Sequence, residues 1–121
     1  MSFILAILTA VQINTKIYLP MNATAYYLHG TTATGTEARA GVCATGLKSL
    51  LGKECAIYQR LPNGERGDLI GVYKIEDTGC KPGVIDVWVN DAEECQEFAN
   101  LTYKDGCKGK IYVELLEAYE E

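Results

Sequence analysis

The sequence predicts a mainly β domain with one short helix near its C-terminal end. Three observations predict it. Apolar, β-branched runs of strand length recur along the chain, Gly, Pro and Asn separate them, and a single segment carries a helical period. At 121 residues the chain fits one domain with one core. Its 48% hydrophobic and 22% charged residues are those of a folded globule rather than a disordered tail.

The elements follow in order. FILAILTA, residues 3 to 10, reads as a buried strand running on into the next segment, which we prefer, or as the apolar core of an export signal. No basic residue precedes it, and eight residues are too few to cross a bilayer, so no membrane span is expected. Val11 to Leu19 alternates in strand fashion, and Pro20 is expected to end it. Residues 1–20 thus form an N-terminal apolar segment ahead of the main domain. Ala23 to Leu28 resumes an extended pattern that includes Tyr26 and Tyr27. HGTTATGTEARAG, residues 29 to 41, has no helical period and reads as a long ordered loop, a common place for function. Cys55 to Arg60 and Asp68 to Glu76 flank LPNGERG, a hairpin whose Asn-Gly supplies positive φ angles. Val84 to Val89, VIDVWV, is a further strand. Asn90 and Glu93 have capping-box spacing for a helix over Asp91 to Leu101, with Ala92, Cys95, Phe98 and Ala99 on one face. A Gly-bearing turn from Lys104 to Gly109 leads into a closing strand, KIYVELL, with Ile111, Val113 and Leu115 on one side. Residues 117–121 form an acidic, solvated tail.

A net charge of -5 repels phosphate backbones, and no Lys/Arg run reverses this locally, so no nucleic-acid partner is expected. Five cysteines lack paired CxxC spacing, and His29 has no second histidine to join, so neither a metal nor another cofactor is expected. Cys43 with Cys55 and Cys95 with Cys107 each flank a short segment and are conceivable local disulfides in an oxidising compartment, leaving Cys80 over. The alternative is that all five are small buried apolar groups. Nothing in the residues fixes an oligomeric state.

Two carboxylates carry the functional interest. Asp77 opens DTG, and Asp86 sits inside VIDVWV, where burying an unpartnered charge is costly. Strand alternation puts Asp86 and Trp88 on one face and Ile85, Val87 and Val89 on the other. A carboxylate beside an aromatic wall has its pKa raised by desolvation, and a second carboxylate raises it further, as a general acid requires. The plainer alternative makes Asp86 the exposed half of an edge strand and Asp77 a turn residue. DTG also opens the aspartic-protease signature, but no second apolar-Gly signature follows to support it.

The order of pieces MNATAYYLHGTTATGTEARAG, GVCATGLKSLLGK, KIEDTGCKPGVIDVWV, short helix and KIYVELL resembles the three-Asp (3D) domain. That family includes bacterial stationary-phase-survival proteins and the catalytic core of membrane-bound lytic transglycosylase A. The resemblance covers residues 21–116 and implies a six-stranded double-psi β-barrel, related to barwin and expansins. It implies that Asp86, in IDVW, is catalytic acid and base and that Asp77, in DTG, supports it. It further implies that Tyr26 of ATAY lines the cleft, that Thr34 and Gly35 belong to the TATG loop, and that Arg39 stands where relatives carry a sugar-contacting Lys. The family's first Asp is replaced here by Thr45, and the link from DTG to IDVW is shorter than usual.

The resemblance implies a peptidoglycan lytic transglycosylase that cleaves the MurNAc-GlcNAc bond without water, acting outside the cytoplasm or at the cell wall, whether exported or released by a phage or mobile element. The competing expectation is a non-catalytic glycan-binding or wall-structural module. In it Tyr26, Tyr27 and Trp88 would stack on sugar rings or serve as ordinary core aromatics.

Overall fold

The computed structural model describes residues 16–102 and 109–116. Its elements are β1 (Leu19–Tyr26), β2 (Val42–Thr45), a 3-10 turn (Lys48–Leu50), β3 (Glu54–Arg60), β4 (Arg66–Thr78), β5 (Val84–Trp88), α1 (Ala92–Thr102) and β6 (Gly109–Leu116). The protein is mainly β, with α1 near the C-terminal end, as the sequence predicts.

The six strands hydrogen-bond in a closed ring, in the order β1-β5-β2-β4-β3-β6 with β6 back against β1. Parallel pairs are β1 with β5 and β2 with β4, and every other pair is antiparallel. Interchanging the first three strands with the last three leaves every pairing and its sense unchanged, so the ring has a topological two-fold. β4 is 13 residues long because it pairs with β3 over its first part and with β2 over its last, and Lys74 has a partner on both.

Inside the ring Ala23, Cys43, Cys55, Ile57, Ile75, Ile85, Val87, Ile111 and Val113 pack as one apolar cluster. Alternation explains it: Ile85 and Val87 point inward, as do Ile111 and Val113, and Leu115 packs against the same cluster. The Cys43 and Cys55 thiols meet here at 4.0 Å in a thiol–thiol hydrogen bond rather than a disulfide, and that bond, with burial, pushes the Cys43 thiol up. The pairing of Cys95 with Cys107 lies outside the described residues, as do the reading of residues 3 to 10, the turn before Gly109 and the acidic tail.

The structure corrects two expectations. Pro20 does not end a strand but lies within β1, opposite Tyr112 of β6; β1 has no second neighbour until Asn22 meets Val84, so the missing N–H is tolerated. Lys16 to Tyr18 are not strand, and residues 11 to 15 lie outside the described part. The helix cap sits one residue later than expected. Asp91 Oδ1 accepts the Glu94 N–H at 2.9 Å, and Glu94 reaches back to the Asn90 N–H, because Val89 still donates to Tyr26 O and holds the chain extended. The buried helix face is accordingly Phe98 and Thr102 with Cys95 beside them, while Ala92 is exposed. The structure also adds β2, four fully buried residues that carry no period long enough to read in the sequence.

Candidate functional site

β5 has neighbours on both sides, β1 and β2, so Asp86 is not on an edge strand. Asp86 stands opposite Thr24 of β1 and opposite Ala44 of β2, and Ala44 stands opposite Asp77 of β4. The result is a lateral row, Asp77, Ala44, Asp86, Thr24, on the side of the sheet away from Ile85 and Val87. Two strand spacings separate the carboxylate-bearing Cα atoms, about 9.5 Å along the sheet. The small Ala44 between them leaves the acids in view of one another.

A β-bulge makes this row possible. Cys43 pairs with Ile75, both in the core, but the next residue, Ala44, pairs with Asp77, so Glu76 is the extra residue. In a regular strand Asp77 would share the inward face of Ile75; the bulge turns it outward beside Asp86.

Asp86 is half-buried, and Thr24 Oγ1 donates to its Oδ1 at 2.8 Å. Burial raises its pKa above the ordinary 3.8, the Asp77 charge adds to the rise, and the Thr24 hydrogen bond opposes it. Removing that donor with Thr24→Val is expected to raise the Asp86 midpoint further in a carboxyl-carbon NMR titration. A fall would show that Thr24 does not act through this bond.

Asp77 is held differently, because its Oδ1 accepts the N–H groups of Thr78 at 2.9 Å and Ala33 at 3.1 Å. Tyr26, opposite Trp88, buries its hydroxyl without a hydrogen-bond partner among the described residues. Its pKa is pushed up to about 12 by burial and by Asp77 and Asp86, so the phenol remains a neutral donor. Cys80, in the turn between β4 and β5, donates its thiol to Val84 O at 3.4 Å, and burial and Asp86 push it up.

Trp88 is 6% exposed, and its Nε1 donates to Leu28 O at 2.8 Å with His29 edge-on at 6.2 Å, so it walls the site rather than offering an open face. Tyr27 is exposed. Thr34 and Gly35 lie in the 29–41 loop, where the Thr32, Thr34 and Thr36 hydroxyls bond one another and Gly35 turns the chain with φ 88°. The structure therefore brings together Asp77, Asp86, Tyr26 and Trp88. Arg39 is engaged elsewhere, its Nη1 and Nη2 donating to the two carboxylate oxygens of Glu76 at 2.8 and 3.0 Å.

Sequence reasoning missed Thr24 and Glu76. Thr24 was available from alternation in ATAY, which puts it on the Tyr26 face. Glu76 had no signal, because only the bulge sets its direction. Glu76 is 2% exposed, and Arg39 first, then Thr36, hold its pKa down at about 2 against the effect of burial. A pKa depressed on folding adds stability above the ordinary 4.5, and that stability is lost as pH falls toward about 2. Glu76→Gln is expected to remove this part of the acid-unfolding transition, and identical Tm-versus-pH curves below pH 5 for both proteins would contradict it.

No helix of the described residues is long and apolar enough to cross a membrane, and no group of three or more His, Cys, Asp or Glu among them is placed to hold a metal ion. Compared with family models, curated proteins and solved structures, the chain matches none.

Proposed function

We propose that this protein is a peptidoglycan lytic transglycosylase on a double-psi β-barrel of the three-Asp type, with Asp86 as its acid and base. The observation that carries the reading is a half-buried carboxyl whose pKa is raised by burial and by a second acid in the same row. The two parallel pairs related by the topological two-fold support the double-psi arrangement.

Protonated Asp86 gives its proton to the glycosidic oxygen between MurNAc and GlcNAc, and that C–O bond breaks. The Asp86 carboxylate then takes the proton of the MurNAc C6 hydroxyl while O6 bonds to C1. The acid is regenerated, no water is consumed, and one carboxyl serves both steps. The Asp77 charge favours the protonated form of Asp86, and the Tyr26 hydroxyl, buried without a partner among the described residues, is a neutral donor beside the two acids. The substrate puts the site of action outside the cytoplasm, at the wall.

One observation favours a second reading, a glycan-binding module without catalysis. Thr45 occupies the position of the family's first Asp, is fully buried, and accepts the Leu47 N–H at 3.4 Å, so no carboxylate stands there. Incubation of the protein with purified sacculi separates the readings by mass spectrometry. Transglycosylation releases muropeptides ending in 1,6-anhydro-MurNAc. Reducing ends instead would mean hydrolysis and overturn the proposal, and retention on sacculi with no products would favour the binding module.

A further inference from the structure

The bulge that turns Asp77 outward leaves Glu76 beneath the loop that runs from Thr32 to Arg39. Glu76 takes that loop at four points. Its carboxylate accepts the Thr36 hydroxyl and both Arg39 nitrogens, and its backbone oxygen accepts the Thr34 N–H at 3.1 Å. Lys74 Nζ lies 3.8 Å away on the other side, and Glu37 faces Arg39. One residue along the loop from Thr34, the Ala33 N–H donates to Asp77.

Stability alone does not account for this arrangement. The pair joins a buried carboxylate to a half-exposed guanidinium, and such a pair returns little net stability compared with an apolar residue at the buried position, while losing Arg39 leaves Glu76 a costly unpaired charge. What the pair does fix is geometry, since Arg39 can meet both carboxylate oxygens in one orientation only.

We propose that Glu76 is a positioning residue for the cleft: by gripping Arg39 and Thr36 it holds the loop on β4, and the held loop presents the Ala33 N–H that fixes Asp77 beside Asp86. The inference rests on Asp86 being the acting group, as proposed above. Glu76 is absent from the groups that shift Asp86, which are burial, Thr24 and Asp77, so any effect of Glu76 on Asp86 passes through the loop and Asp77. The other ionisable groups facing Asp86 are Tyr26, Cys80 and Cys43.

The test uses the folded full chain, labelled with ¹⁵N. In the wild type the Ala33 amide, bonded to Asp77 Oδ1 at 3.1 Å, is expected to be protected from exchange and its shift to respond to pH through that carboxylate. In Glu76→Gln, which keeps the size of the side chain but cannot accept from both Arg39 nitrogens, Ala33 exchange is expected to rise by about tenfold or more and its titration response to vanish. Arg39→Gln, at a half-exposed position, is expected to do the same and serves if the Glu76 variant does not fold. In sacculi digestion kcat falls more than KM rises, and the alkaline limb of the pH profile moves to lower pH because Asp86 loses a fixed neighbouring charge. In an Asp77→Asn background Glu76→Gln moves that limb no further.

Folded variants that melt earlier yet keep the Ala33 protection and titration would reduce the pair to a stabilising contact and overturn the proposal. If the Ala33 signals change as expected but the wild type yields no anhydro products, the clamp stands and the transglycosylase reading fails.

Discussion

Asp86→Asn is expected to lose about 10²- to 10⁴-fold in the release of anhydro-muropeptides, the usual range for removing a general acid-base group. It is also expected to melt at a higher temperature than the wild type at pH 7. A carboxyl whose folded pKa lies above its ordinary 3.8 contributes its full share of stability below that value and loses it as pH rises through the folded pKa. Once ionised, Asp86 is a desolvated charge, repelled by Asp77, that asparagine lacks. Asparagine keeps the carbonyl oxygen that accepts the Thr24 hydroxyl at 2.8 Å. Loss of activity with a gain of stability is the signature of a residue kept for chemistry rather than folding. Calorimetry at pH 7 and again below pH 3.5 checks it, since the difference in Tm should shrink in acid.

Gly46→Ala is expected to cost stability and activity together. A Cβ on Gly46 would lie 2.6 Å from Cys80 O, Lys81 C and Pro82 N, all main-chain atoms that cannot rotate away. Overpacking of this kind costs about 1–3 kcal/mol. The turn that must yield leads directly into β5: Val84 donates to Lys81 O at 3.1 Å, and Gly83 O accepts the Asn22 N–H at 3.0 Å. Its displacement moves the start of the strand that carries Asp86 and the Cys80 thiol beside it. The expected readout is a Tm lower by about 5 °C or more with a fall in activity. An unchanged Tm would show that the end of β2 and the turn can part without loss. Asp86→Asn and Gly46→Ala thus shift stability in opposite directions while both reduce turnover.

Much of the fold is legible because it rests on local chemistry. The Asn63-Gly64 hairpin appears where its turn residues demand, although only Gly64 takes a positive φ, 89°, while Asn63 Oδ1 instead accepts the Glu65 N–H. The faces of β5 follow alternation, so Asp86 and Trp88 are found together. What escapes is set by partners distant in the chain. β2 is a strand because β4 and β5 flank it, and four residues cannot announce that. Pro20 survives in β1 because one side of the strand is vacant there. The direction of Asp77 depends on a single extra residue in β4, and a one-residue shift moves a side chain to the opposite face. Arg39 illustrates the same limit: its position in the loop is readable, but its engagement by Glu76 is not.

The measurement that bears most directly on the site is a carboxyl-carbon NMR titration of Asp86 in the wild type and in Asp77→Asn. The row of Asp77, Ala44, Asp86 and Thr24 predicts a wild-type midpoint above the ordinary 3.8 that moves down when the Asp77 charge is removed. A midpoint at or below 3.8, indifferent to Asp77, would mean that Asp86 is an ordinary solvated carboxylate and that the two acids do not form a working pair.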